Sequence, residues 1–194
     1  DVAQGTGGFK IQGESAGDQA GFSVAAAGDV DGDGIADLIV GAYRGNGTAG
    51  AAYVVFGRDA TQSFPALIDL GDVAQGTGGF EIRGQNAGDL AGFSVSSAGD
   101  VNGDGLADLV VGAIGDDSGG YDAGAAYVVL GNDQGFTSPV DLATIAQGTG
   151  GFAILGEHEG NQTGKSVSAA GDINGDGIDD LIVGAPGDSS AGDY

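Results

Sequence analysis

The chain has 194 residues, 43 of them glycine, and a net charge of −23. This acidity excludes nucleic acid as a partner, because phosphate backbones would repel the chain, and it disfavours anionic membrane surfaces. The chain has no cysteine, which excludes disulfides and thiolate metal sites, and no apolar run approaches the ~20 residues of a membrane-spanning helix.

An internal repeat of about 71 residues organises the chain. Residues 1–43 match residues 72–114 at 32 of 43 positions, and the stretch AQGTGGF occurs in every repeat. We therefore divide the chain into repeats at 1–71, 72–143 and 144–194, the last of them truncated.

Each repeat is predicted to contain four short strands separated by glycine-rich turns. Phe22, Val24 and Ala26 alternate on one face of the first strand. The second strand is a continuous apolar run of the kind that is buried on both faces. The predicted strands of the first period are Gly21–Ala27, Asp37–Ala42, Ala51–Phe56 and Phe80–Arg83. No segment shows a helical period with caps, so we predict an all-β fold.

Four strands in a repeat of this length are typical of a β-propeller blade, a four-stranded antiparallel sheet, and a solenoid of stacked repeats is the alternative. The chain would hold about 2.7 blades, fewer than the four to eight that close a ring. We therefore expect a piece of a longer protein or a chain that copies of itself complete. The loops at 45–48 and 115–122 differ in length, and we expect them on the surface.

An acidic nine-residue loop follows the first strand of every repeat. It has oxygen-bearing side chains at positions 1, 3, 5 and 9 and glycine at position 6, where the backbone must turn sharply. The carbonyl at position 7 can add another ligand, and Ca²⁺ takes six to eight such oxygens. The candidate ligands are Asp29, Asp31, Asp33, Ile35 and Asp37; Asp100, Asn102, Asp104, Leu106 and Asp108; and Asp172, Asn174, Asp176, Ile178 and Asp180.

These loops predict three Ca²⁺ sites, one in each repeat. Mg²⁺ demands a stricter octahedron, and transition metals prefer nitrogen or sulfur ligands. Solvated acidic turns are the alternative, but three copies in register argue against them, because clustered like charges are costly without a cation. An EF-hand would need a bidentate Glu at position 12 and flanking helices, whereas that position holds Val40, Val111 and Val183.

The residue types that usually carry catalysis are poorly placed for it. His158 is the only histidine, and an exposed residue in an acidic loop is the simpler interpretation. The serine that recurs in the first strand has no histidine repeated with it, so a nucleophile–base pair is not supported. Tyr53 and Tyr127 recur in a strand and are predicted to be core residues. We therefore predict that the chain is not an enzyme.

The acidic loop and the Gly-Ala that follows it at 41–42, 112–113 and 184–185 resemble the FG-GAP repeat, as does the Gly-Phe at 21–22 and 92–93. That repeat builds the seven-bladed propeller at the N-terminal end of integrin α subunits and occurs in large secreted bacterial surface proteins. The resemblance covers the whole chain. It implies calcium in the hairpin loop between the first two strands of each blade.

The function predicted from these features is a calcium-binding adhesion or structural module, secreted or at the cell surface. Its partners would be calcium together with protein or glycan ligands, or copies of itself, without insertion into a membrane. A glycan-binding module, or the propeller scaffold of a secreted polysaccharide-active enzyme, is the alternative.

Overall fold

The computed structural model describes residues 7–59 and 61–187. Strands dominate its regular structure, which also has a 3₁₀ turn at Asn46–Thr48 and, later in the chain, two five-residue helices. The strands are β1 (Lys10–Gln12), β2 (Ser23–Gly28), β3 (Asp37–Ala42), β4 (Ala51–Val55), β5 (Leu67–Asp69), β6 (Gly79–Arg83), β7 (Ala91–Gly99), β8 (Asp108–Ala113), β9 (Ala125–Val129), β10 (Val140–Asp141), β11 (Gly151–Leu155), β12 (Ser166–Gly171) and β13 (Asp180–Gly184); the helices are α1 (Leu70–Ala74) and α2 (Leu142–Ala146).

Four-stranded antiparallel sheets form the propeller blades. The first complete blade orders its strands β2-β3-β4-β6, and the second orders them β7-β8-β9-β11. Their registers agree, because Val40 lies opposite Tyr53 in the first blade and Val111 lies opposite Tyr127 in the second. The hairpin β12–β13 starts a third blade in the same way. The predicted all-β blade is confirmed, whereas the division of the sequence into three repeats stays a prediction.

The second strand of the second blade is buried on both faces, as its apolar run predicted. All six residues of β8 are buried. Leu109 and Val111 belong to the core shared with the first blade, which includes Ile39. Val110 points the other way and packs in the core that includes Val183 of the third blade. Burial of these side chains between sheets is the main force that holds neighbouring blades together.

The predicted apolar face of the first strand is buried only where a neighbouring blade covers it. Val95 in β7 is 5% exposed, but its counterpart Val24 in β2 is 64% exposed and Phe22 is 54% exposed. On this side of the first blade β1 contributes Ile11, which packs in the cluster that contains Val40. The alternation of apolar residues could be predicted from the sequence, but whether this face is buried depends on the adjacent sheet.

A short additional strand joins the outer edge of a blade from the next segment of the chain. β5 pairs in parallel with β1, and β10 pairs in parallel with β6. α1 and α2 follow directly, and the carboxylates of Asp69 and Asp141 cap them by accepting the N–H groups of Gly71 and Ala143. The prediction that no segment is helical was wrong here, because five residues are too few to show a helical period.

The recurring serines connect blades and have no catalytic partner in the described structure. Ser23 Oγ accepts the N–H of Val95 at 3.0 Å, and Ser94 Oγ donates to the carbonyl of Gly164 at 2.7 Å. His158 is exposed, as predicted. Among the described residues, neither helix has the length that a bilayer crossing requires.

Candidate metal centre

Each acidic loop connects the first two strands of its blade. The loops lie between β2 and β3, between β7 and β8, and between β12 and β13. The glycine at position 6 has a φ of 84° at Gly34, 89° at Gly105 and 88° at Gly177. Side chains other than glycine rarely adopt this left-handed conformation. The predicted sharp turn at position 6 is therefore confirmed in all three loops.

The carboxylate at position 1 organises the turn. Asp29 accepts the N–H of Gly32 on Oδ1 and the N–H of Gly34 on Oδ2, both at 2.9 Å. Asp100 and Asp172 accept the corresponding bonds in the second and third loops. Hydrogen bonds to a carboxylate favour its ionised form. The bonds to Asp172, led by the one from position 6, hold its pKa below the ordinary value.

The carboxylate at position 9 closes each loop from its buried end. Asp37 is 1% exposed. Its Oδ2 accepts the N–H of Val30 at 3.0 Å and its Oδ1 accepts the N–H of Gly57 at 2.7 Å. Asp108 makes the same two bonds in the second blade at 2.8 Å each, and Asp180 makes the first of them in the third. Position 9 thus ties the start of the loop to the chain that follows the third strand.

Burial makes the charge at position 9 costly. It raises the pKa of Asp37 to about 6, and the negative charges of Asp31 and Asp33 add to this effect, while the two backbone N–H bonds oppose it. Burial also raises the pKa of Asp108. A carboxyl group with a raised pKa is one whose ionised form is poorly stabilised. A bound cation would supply the missing stabilisation.

Three carboxylates meet in the first loop. Asp29, Asp31 and Asp37 each place an oxygen within 4.8 Å of the other two. Ligands at 2.3–2.6 Å from one ion lie at most about 5 Å apart, so this spacing fits a single hard cation. Asp33 faces its own turn, where its Oδ1 accepts the N–H of Ile35 at 2.8 Å. Burial first, and then the charges of Asp33 and Asp29, raise the pKa of Asp31.

The second and third loops carry an amide at position 3. Asn102 Oδ1 accepts the N–H of Asp104, and its Nδ2 donates to Asp104 Oδ2, both at 2.9 Å. Asn174 Oδ1 accepts the N–H of Asp176 at 2.9 Å in the same way. The side-chain donors at positions 1, 3, 5 and 9 remain oxygens, which suits a hard divalent cation. At these four positions the second and third loops each offer one negative charge fewer than the first loop.

Neighbouring loops contact each other, which the sequence did not reveal. The side chain of Ile178, at position 7, lies against position 4 of the preceding loop, where a Cβ added to Gly103 would be 2.9 Å from Cδ1 of Ile178. The N–H of Asp179 donates to the carbonyl of Asp100 at 3.1 Å, and the N–H of Asp100 donates to Asp179 Oδ2 at 2.9 Å. The corresponding backbone hydrogen bond also joins the second loop to the first. The loops therefore form a connected series.

A second group of acidic side chains lies in the second blade, at the ends of β7 and β8 that are remote from the acidic loop. Tyr127 donates its hydroxyl proton to Asp116, and both residues are 1% exposed. Burial, with a contribution from the charge of Asp116, raises the pKa of the nearby Asp89 to about 6. In the first blade Tyr53 donates to Glu14 at 2.6 Å. The prediction of core tyrosines is confirmed, but their carboxylate partners were missed, although Asp89 belongs to a repeated Ala-Gly-Asp.

Comparison with curated proteins gives two kinds of relative. The chain is 33% identical over 182 residues to integrin alpha pat-2 of Caenorhabditis elegans and 30% identical over 181 residues to integrin alpha-PS5 of Drosophila melanogaster, covering 87% and 91% of this chain. It is 34% identical over 167 residues to phosphatidylinositol-glycan-specific phospholipase D of Bos taurus, covering 81% of this chain. The chain spans only 13%, 16% and 18% of the lengths of these three relatives.

A family model described as the FG-GAP repeat matches more than half of the chain. Its matches are residues 20–55, 91–129 and 163–194. Each match contains one acidic loop and both strands that flank it. The predicted resemblance is confirmed, and the chain belongs to the FG-GAP repeat family.

Proposed function

We propose that each acidic loop binds one Ca²⁺ ion and that the ion stabilises the blade. The observation that carries the proposal is the approach of Asp29, Asp31 and Asp37 to within 4.8 Å of one another at the tip of a hairpin. The proposed ligands are Asp29, Asp31, Asp33, Asp37 and the carbonyl of Ile35; Asp100, Asn102, Asp104, Asp108 and the carbonyl of Leu106; and Asp172, Asn174, Asp176, Asp180 and the carbonyl of Ile178.

Calcium is favoured over other cations by the donor chemistry. All proposed donors are oxygens, and one loop supplies up to five of them, so water can complete a coordination number of six to eight. Zinc and copper would prefer nitrogen or sulfur donors, and the chain has no cysteine and one histidine. Each ion would also neutralise part of a net charge of −23, which otherwise opposes compaction.

The test is calcium binding measured together with stability. Calorimetric titration of the chelator-treated chain should give three ions per chain. With a dissociation constant of ~10⁻⁴ M, ~10 mM calcium should stabilise the fold by about 2.7 kcal/mol per site. Magnesium at the same concentration is the matched control and should give a smaller shift. A melting temperature that is the same in chelator and in calcium would refute the proposal.

We further propose that the chain is part of an extracellular adhesion or structural protein. The support is the similarity over most of its length to two integrin alpha chains. Protein ligands, glycans or further copies of the repeat would be its partners. An adhesion assay with the calcium-loaded chain, repeated in chelator, tests this role, because adhesion should be lost when the loops are empty.

A non-catalytic scaffold within a secreted enzyme is the second candidate. Its support is the similarity to phosphatidylinositol-glycan-specific phospholipase D. A groove of about 530 Å³ beside the second loop, with Asp104, Phe136, Thr144 and Thr149 among its lining residues, is large enough for a sugar residue. A glycan-binding screen of the chain with a hydrolysis readout tests this candidate: we expect specific binding without turnover, and the absence of any glycan binding would count against it.

A further inference from the structure

Two segments of the chain attach to the outer strand of the preceding blade in the same way. Each begins with a phenylalanine that stacks on a phenylalanine within that outer strand or directly before it. The ring centroids are 4.4 Å apart for Phe64 on Phe9 and 4.0 Å apart for Phe136 on Phe80. We call these segments the rim clasps. They are residues 64–73 and 136–145.

The two rim clasps share a sequence pattern, F-x₃-[I/V]-D-L-x₂-[I/V], and each defined position has a structural contact. In the second clasp Val140 pairs with Ile82 of the outer strand. Asp141 caps helix α2, and Leu142 and Ile145 are buried in the core beneath that helix. The first clasp repeats these contacts through the equivalent positions. The pattern therefore describes a complete docking element.

The outer strand β11 has the same receptor features. Phe152 stands where Phe80 stands in the first blade, but it is 42% exposed whereas Phe80 is 1% exposed. Ile154 takes the place of Ile82. Within residues 7–59 and 61–187, β11 pairs with β9 on one edge and with no strand on the other. Its free edge and exposed ring thus match the surface that the second rim clasp covers on β6.

We propose that β11 binds a third rim clasp, supplied by an FG-GAP blade that packs on the second blade as the second packs on the first. The incoming phenylalanine would stack on Phe152, and its isoleucine or valine would lie opposite Ile154 in a parallel strand pair. Main-chain hydrogen bonds provide affinity in such strand addition, and side-chain contacts provide specificity. Leu155 stands where Arg83 stands in β6, so binding should depend on apolar contact and change little with salt. The proposal is independent of the metal assignment.

The test uses a fluorescent peptide with the sequence of residues 134–147 and the intact chain, measured by anisotropy. We expect saturable binding in calcium. Replacing the peptide's phenylalanine (Phe136→Ala) should weaken binding at least about tenfold, since it removes an aromatic pair and its apolar contact. Phe152→Ala in the chain should have a similar effect. Tyr121→Ala, which removes a 66% exposed aromatic side chain elsewhere, should have none.

Absence of saturable binding would overturn the proposal, and so would equal affinity for the Phe152→Ala chain, since the peptide would then be displacing the clasp on β6. A second experiment, in which the peptide is tethered to the chain, detects an interaction of low affinity. The same 14 residues are fused after Tyr194 through a flexible glycine–serine linker, which gives a millimolar effective concentration. The fusion should melt at a higher temperature than a fusion carrying the Phe136→Ala change in its added copy; equal melting temperatures would also contradict the proposal.

Discussion

The ring of Phe136 lies on the ring of Phe80, with the two planes inclined by only 12°. Phe80 belongs to the outer strand of the first blade, whereas Phe136 precedes β10 and comes from the chain that builds the second. Aromatic stacking is worth about 0.5–1.5 kcal/mol beyond the burial of the rings. This contact therefore adds a fastening at the rim of the blades, in addition to the packing of their sheets.

Removing that ring should destabilise the protein. For Phe136→Ala we expect a loss of about 2–3 kcal/mol in the free energy of unfolding, from the stack and the apolar area that it covers. Phe152→Ala is the matched control, because that ring is 42% exposed, and it should cost less than about 1 kcal/mol. Chemical denaturation in calcium measures both. Similar losses for the two variants would mean that the stack contributes little.

The first two strands of each blade and the turn between them could be predicted from the sequence, because their signals are local. The apolar run of β8 and the glycine at position 6 specify conformation within a few residues. The rim clasps could not be predicted in this way. The contact of Phe136 with Phe80 joins residues 56 positions apart, and β10 has only two residues. Such contacts depend on how adjacent sheets pack.

Position 3 of the loop should control both calcium affinity and stability without calcium. Asp31→Asn gives the first loop the amide that the other loops have. We expect weaker calcium binding at that loop and higher stability in chelator, because burial and the charges of Asp33 and Asp29 raise the pKa of Asp31. Asn102→Asp should do the reverse in the second loop. Titration calorimetry and thermal melts measure the two effects. Changes of the same sign in both variants would contradict the prediction.

The acidic group around Asp89 should make stability depend on pH. Burial raises the pKa of Asp89 to about 6, from an ordinary value of 3.8. Between these values the native protein holds a proton that the unfolded chain has released. The free energy of unfolding in chelator should therefore fall as pH rises from about 4 to 6, with a contribution from this group of up to about 3 kcal/mol.

The control for this pH dependence is a neutral side chain at the same place. Asp89→Asn should make the decline between pH 4 and 6 less steep, because one of the two carboxyl groups whose pKa is raised to about 6 is gone while the other, Asp37, remains. Asp72→Asn, at an exposed position of α1 away from this group, should leave it nearly unchanged. The measurement is the midpoint of denaturant unfolding at several pH values. An equally steep decline in the Asp89→Asn protein would assign the effect to other carboxylates.

Position 9 should matter even when no metal is bound. Asp108 is fully buried and accepts two backbone N–H groups, from Val101 and Gly131. Asp108→Asn keeps one acceptor and turns an NH₂ group towards the other donor, so a buried N–H loses its partner at a cost of about 1–3 kcal/mol. We expect this loss in chelator and a larger one in calcium, measured by denaturant unfolding. Asp104→Asn, at an exposed position of the same loop, should reduce stability only in calcium. A protein that tolerates Asp108→Asn in chelator would show that position 9 acts through the metal alone.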